Sequence, residues 1–276
     1  MKSIIIKYSL FVWALCAYLN LNAQNEYISY IDSADVFIKN KNWLQAERCI
    51  LMALQKEPAN PNNSLLISNL ATIQRKEHKY GEALKNYDVA ISMTPKAVTL
   101  LKNRASLYVE LDSLNHAYMD YEKVMLLDSE DVESRYYHGL IALRKGHIEI
   151  AKADINDLLR IDKYSPYTKE AQGTLQKTLG NFSDAVDYFS DLISMQSKPS
   201  YQTLINRAEC YLELNKLQDA EKDIKQGLEM APSEPYLYVL RARLNKLRHN
   251  HLEKERDLRL AEKYGIKREM AIFFMK

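Results

Sequence analysis

Chain breakers are scarce in this sequence: 276 residues contain seven glycines and seven prolines. All-β and doubly wound α/β folds spend both residues on many turns, so the scarcity favours long helical stretches. With so few glycines there is no glycine-rich phosphate loop, and no serine sits in a Gly-x-Ser-x-Gly elbow. Cysteine is equally rare. Cys16, Cys49 and Cys210 are too few to frame a disulfide scaffold. An excess of one charge is also missing: 38 basic residues face 36 acidic ones, a net charge of +2. A surface so balanced exerts no general pull on phosphate backbones or anionic lipid, and no nucleic-acid partner is expected.

One apolar run stands apart. Lys2 and Lys7 give a positive start, and residues 8–21 are apolar apart from Ser9 and Asn20. Ala23 then offers a small residue at a cleavage point before Gln24. The run is shorter than the roughly 20 apolar residues a membrane helix needs, and it suits a signal peptide over residues 1–23. An uncleaved anchor is the alternative. Cys16 lacks the small preceding residue that a lipid-attachment signal places there, since Trp13-Ala14-Leu15 comes before it. Cleavage removes two lysines and no acid, which leaves 36 basic and 36 acidic groups and no further membrane span. The expected location is exported, either periplasmic, envelope-associated or secreted.

The rest of the chain repeats. An alanine recurs three residues after an apolar one at Trp43/Ala46, Tyr80/Ala83, Leu114/Ala117, Ile148/Ala151, Phe182/Ala185 and Leu217/Ala220. Twelve residues before each alanine lies another small residue: Ala34, Ala71, Ala105, Gly139, Gly173 and Ala208. Four residues after it lies a large apolar one: Ile50, Tyr87, Tyr121, Ile155, Phe189 and Ile224. Pro58, Pro95 and Pro232 close three units at the same place. A unit with one apolar face cannot bury it alone, so several must stack into a continuous core.

This pattern resembles the tetratricopeptide repeat, a helix–turn–helix unit of about 34 residues with small residues at its eighth and twentieth places. The best matches are Ala71-His78-Tyr80-Gly81-Ala83-Tyr87-Ala90-Pro95 and Asn206-Arg207-Ala208-Tyr211-Leu217-Ala220-Pro232. The resemblance implies an all-α, right-handed solenoid of about seven units over residues 24–262. Their places are near 27–60, 64–97, 98–131, 132–165, 166–199, 201–234 and 235–262. In the seventh, Lys254 replaces the usual alanine. Residues 263–276 read as an amphipathic capping helix, with Ile266, Met270, Phe273 and Phe274 on one face; docking of another chain, or self-association through this end, is the other reading.

No constellation for catalysis is present. The six histidines fall at turns or packing positions, and the His249-Asn250-His251 pair lacks a third ligand at a recognised spacing. Most carboxylates alternate with lysines on solvated helix faces, as in Glu221-Lys222-Asp223. No enzyme activity, cofactor or metal is expected. In the family the first helix of each pair lines a concave groove, and its second, fifth, ninth and twelfth places point inward. Projected here, those places mix tyrosines and apolar anchors with isolated charges, which suits an extended peptide or a partner helix. The favoured partner-binding stretch is Arg75, Lys102, Tyr136, Tyr167 and Lys177. The alternative is that these side chains only pack on neighbouring helices. The leading functional reading is an exported scaffold that binds a protein or peptide in that groove. A sensory component of an envelope signalling system is the second reading, and an accessory subunit of a wall- or polysaccharide-processing enzyme the third.

Overall fold

The computed structural model describes residues 22–275, and every regular element among them is an α-helix. Residues 1–21, which carry most of the segment read as an export signal, lie outside the described residues. Two compact units divide at Ser129 and Glu130. The first contains α1 (22–39), α2 (Trp43–Lys56), α3 (Asn63–Lys76), α4 (Tyr80–Met93), α5 (Val98–Glu110) and α6 (Leu114–Leu127). The second contains α7 (Val132–Arg144), α8 (Ile148–Asp162), α9 (Pro166–Thr178), α10 (Phe182–Met195), α11 (Tyr201–Glu213), α12 (Leu217–Met230), α13 (Pro235–Leu247), α14 (His251–Lys263) and α15 (Arg268–Phe274). Odd and even helices pair in order, and α15 follows the last pair. No helix of the described residues is long and apolar enough to cross a membrane.

Tiny side chains make the pairing close. Ala46, Ala83, Ala117, Ala151, Ala185 and Ala220 are all fully buried. So are Ala71, Ala105 and Ala208 on the first helices. Larger residues fill the space beside them, with Ile50, Tyr87, Tyr121, Phe189 and Ile224 almost wholly excluded from solvent. The recurring alanine read from the sequence is therefore a packing requirement: a bigger side chain there holds the two backbones apart.

Several helix starts carry their own stop against fraying. Ser165 and Ser200 accept hydrogen bonds from the backbone N–H groups of Tyr167 and Gln202, and Asp131 accepts from Ser134. Pro166 and Pro235 occupy the first turn of α9 and α13, where no N–H is missed.

The turn inside each pair is built the same way every time. Lys41, His78, Asp112, Asn215 and His249 hold φ between 55° and 60°, and Gly146 and Gly180 do the same work at 76° and 81°. In the second pair, the N–H of His78 donates to the Arg75 carbonyl and that of Lys79 to the Gln74 carbonyl. The same two bonds recur in the other six pairs. They satisfy carbonyls that the ending helix leaves orphaned. A left-handed backbone costs a residue with a Cβ roughly 1–2 kcal/mol, and glycine little. Lys41 is exposed at such a place. Lys41→Gly is expected to raise stability by about 1 kcal/mol, and Gly180→Ala to lower it by about as much. Urea midpoints that move in the opposite sense contradict this account of the turns.

Side-chain bonds to a buried aspartate lock first helix to second. Arg104 grips Asp120 through two bonds of 2.8 and 2.7 Å. Arg207 grips Asp223 with the same two lengths. Arg241 meets Asp257 at 2.9 and 2.5 Å, and in the fourth pair a histidine takes the arginine's place, His138 Nδ1 lying 2.6 Å from Asp154. In every case sixteen residues separate the partners. The acid is buried in every pair, and the forks of Arg104 and Arg207, which hold both carboxylate oxygens, make its charge tolerable there.

Between the first two pairs the connection is acidic. Glu47 of α2 is buried and accepts hydrogen bonds from Gln74 Nε2 at 2.9 Å and Lys79 Nζ at 2.6 Å. Burial alone pushes this carboxyl up, but the bonds from Lys79 and Gln74 and the lysine charge outweigh it and hold the group below the usual range. A carboxyl depressed in the folded state contributes stability above its unfolded pKa, about 4.3 for glutamate, and loses it as the pH falls through the folded value. Glu47→Gln is therefore expected to flatten the fall in stability on the acid side of about pH 4. Equal acid slopes for wild type and variant in urea titrations contradict it.

Candidate functional site

In the unit ending at Ser129, the first-helix residues singled out by the sequence are Arg75 on α3 and Lys102 on α5, both half-buried. Arg75 Nε donates to Glu110 at 2.6 Å, reaching from one pair to the next. The Tyr80 phenol donates to the other oxygen of Glu110 at 3.0 Å. Burial raises the Glu110 carboxyl, yet the bonds from Arg75 and Tyr80 more than offset this and leave it lowered. The positive charge at Arg75 is thus already neutralised.

In the unit that starts at Glu130, the first helices α7 and α9 carry the remaining three residues. Tyr136 and Tyr167 come together, with ring centroids 5.0 Å apart. Tyr137 joins them at 4.9 Å from Tyr136 and 6.4 Å from Tyr167. Tyr136 is buried at 5% exposure, and Tyr137 and Tyr167 are half-buried. Glu170, one turn after Tyr167 on α9, is half-buried and bonds to the Tyr136 phenol. Burial pushes the Glu170 carboxyl up, and the bond from Tyr136 only partly opposes this. The Tyr136 phenol is raised as well, first by burial and then by the Glu170 charge.

Lys177 lies ten residues beyond Tyr167 on α9, about 15 Å along the helix. Its ammonium donates to Asn206 Oδ1 and Glu209 Oε2, each at 2.7 Å. Glu209 also accepts from the Tyr236 phenol of α13. Arg243 donates to Glu213 at 2.7 Å. Close by, the Cys210 thiol is fully buried and its pKa is pushed up to about 12, chiefly by burial, which makes it unreactive. Both described cysteines are free thiols.

Projection of the helix face names the lining residues but omits their partners. Glu110, Tyr137, Asn206 and Glu213 were absent from it. A readable signal existed for three of them: a polar or acidic residue 29 to 35 positions from a lining lysine or arginine meets it across neighbouring pairs. Tyr137 had none, because it lies one residue round the helix from the projected position.

Among the described residues no three histidine, cysteine, aspartate or glutamate side chains converge on one point. Each unit carries a row of charges paired between successive first helices, and the unit beginning at Glu130 adds a tyrosine cluster. Such a row on stacked helix pairs defines a helical-repeat protein of the α-solenoid class.

Comparison with known proteins narrows that class. A model of the tetratricopeptide repeat matches residues 170–235. The crystal structure of a tetratricopeptide repeat protein from Parabacteroides merdae aligns with a TM-score of 0.78 at 30% identity, covering 91% of this chain and 98% of that one. The chain belongs to the tetratricopeptide repeat family. Mitochondrial import receptor subunit TOM34 of Rattus norvegicus is 25% identical over 67% of this chain and 72% of its own length. Sperm-associated antigen 1 of Mus musculus is 25% identical over 64% of this chain, which spans only 23% of that longer protein.

Proposed function

We propose that this protein is an exported scaffold that holds a peptide or helix of another protein against the faces of its first helices, and that it performs no chemistry itself. The observation that carries the reading is the Tyr136–Tyr137–Tyr167 cluster beside Glu170. Rigid aromatic side chains give large contact area at little cost in rotamer entropy and dominate the energetics of many interfaces. The paired charges at Lys177–Glu209 and Arg243–Glu213 supply the polar surround without leaving a cation or anion to attract partners indiscriminately. Export rests on the composition of residues 1–23, and the tyrosine row is then offered to envelope proteins.

Affinity capture from envelope extract tests the binding. Tyr167→Ala is expected to lower recovery of the partner by at least about tenfold, as truncation of an aromatic hot spot does, with a cooperative melt that shows the fold is kept. Failure of the wild-type protein to retain any protein, or equal retention by the variant, sinks the reading. A retained small molecule with no protein points instead to the sensory role. Fractionation of cells expressing the chain with and without residues 1–23 tests export.

A further inference from the structure

On the first-helix faces of the unit beginning at Glu130, one charge stands out by what surrounds it. Lys177, Glu209 and Arg243 each have an oppositely charged partner. Glu170 has none among the described residues: its carboxylate is half-buried, and its bond is to the neutral phenol of Tyr136. The Tyr136 that it bonds is in ring contact with Tyr137 and Tyr167, and Glu170 lies one turn after Tyr167 on α9. A carboxylate taken partly out of water without a countercharge is costly, and the cost disappears when a cation arrives. Aromatic rings attract cations through their negative faces, more strongly once water is excluded.

We infer that Glu170, with Tyr136, Tyr137 and Tyr167, forms a subsite for one lysine or arginine side chain of the bound segment. This rests on the groove reading above and names the chemistry that reading leaves open. The Tyr136 phenol holds one face of the carboxylate in place. The other lone pairs accept from the ammonium or guanidinium, whose aliphatic stem lies along the rings of Tyr137 and Tyr167. A divalent metal fits less well, since it asks for several oxygen ligands and the cluster provides a single carboxylate. Burial also raises the Glu170 carboxyl in the free protein, as expected of a site whose charge awaits a partner.

The test is selection of a random peptide library displayed on phage against the full chain and against Glu170→Gln. The isosteric amide keeps an acceptor for Tyr136, and its melting temperature shows that the fold is kept. Peptides enriched by the wild type are expected to share a lysine or arginine at one register, and Glu170→Gln is expected to lose that preference. For a selected peptide, replacing the lysine by norleucine should weaken binding to wild type about tenfold and leave binding to Glu170→Gln little changed. Enrichment of peptides without a basic register, or the same preference in the variant, overturns the subsite while the groove reading stands. No enrichment by the wild type overturns the groove reading and the subsite with it.

Discussion

Arg207→Met is expected to cost about 3–5 kcal/mol of folding stability, because it strips the guanidinium from a buried carboxylate and leaves that carboxylate with nothing in exchange. Asp223 has 4% of its side chain exposed, and both its oxygens are held by Arg207. Methionine keeps the volume of the arginine stem, so the loss measured is that of the charge and its bonds. Asp223→Asn retains an acceptor and should cost less. The double variant Arg207→Met/Asp223→Leu removes the stranded charge and is expected to recover much of the loss. Urea midpoints of the three variants provide the comparison. A loss below about 1 kcal/mol for Arg207→Met alone means that the pair contributes no more than a surface ion pair.

The second large effect sits where α9 crosses α10. The ring of Phe189 is fully buried and lies over Gly173: a Cβ built at Gly173 comes within 2.7 Å of the ring's Cε1. Phe189→Ala is expected to cost about 3–5 kcal/mol through the cavity it opens. Gly173→Ala presses a methyl group into the same ring. Overpacking costs about 1–3 kcal/mol, against which the helix gains up to about 1 kcal/mol from losing a glycine. In a Phe189→Leu background the methyl group has room, so Gly173→Ala should become neutral or favourable there. A double-mutant cycle with no coupling between the two positions contradicts this contact.

These two sites also show how far the sequence could be read. Gly173 and Phe189 were visible as a small residue and a large one at fixed places of a repeat, and the crossing explains why. Only a tiny side chain lets the backbones approach, so the repeat is stamped on the sequence at Ala46, Ala83, Ala117, Ala151, Ala185 and Ala220. Asp120, Asp154 and Asp223 occupy equivalent places of the repeat, yet Asp223, read with Glu221 and Lys222 as a solvated face, is buried. That each acid is gripped by a residue sixteen places earlier depends on how two helices face each other, and His138 in the arginine's place hides the rule further.

The tyrosines mark the limit. Tyr136 and Tyr167 could be placed on a first-helix face by counting, but not their contact with each other or with Tyr137. Ring orientation follows from packing between helices, which periodicity does not encode. Left-handed turn residues divide in the same way. Gly146 and Gly180 are the residues such a turn favours, and His78, Asp112, Asn215 and His249 are of the types that tolerate it, while Lys41 adopts the same backbone without any compositional signal. For the non-glycine residues the two carbonyl-satisfying bonds outweigh an unfavourable local preference.

That turn has a consequence for how such a chain can change length. Within a pair the interval between helices is always three residues, as at 77–79, 144–148 being bridged by 145–147, and again at 214–216. The joints from one pair to the next vary instead: 57–62, 94–97, 163–165 and 196–200. A hairpin whose final carbonyls and next N-cap share the same few amides has no slack to absorb an insertion. Added or lost residues are therefore accommodated at the joints, and each hairpin behaves as an indivisible segment.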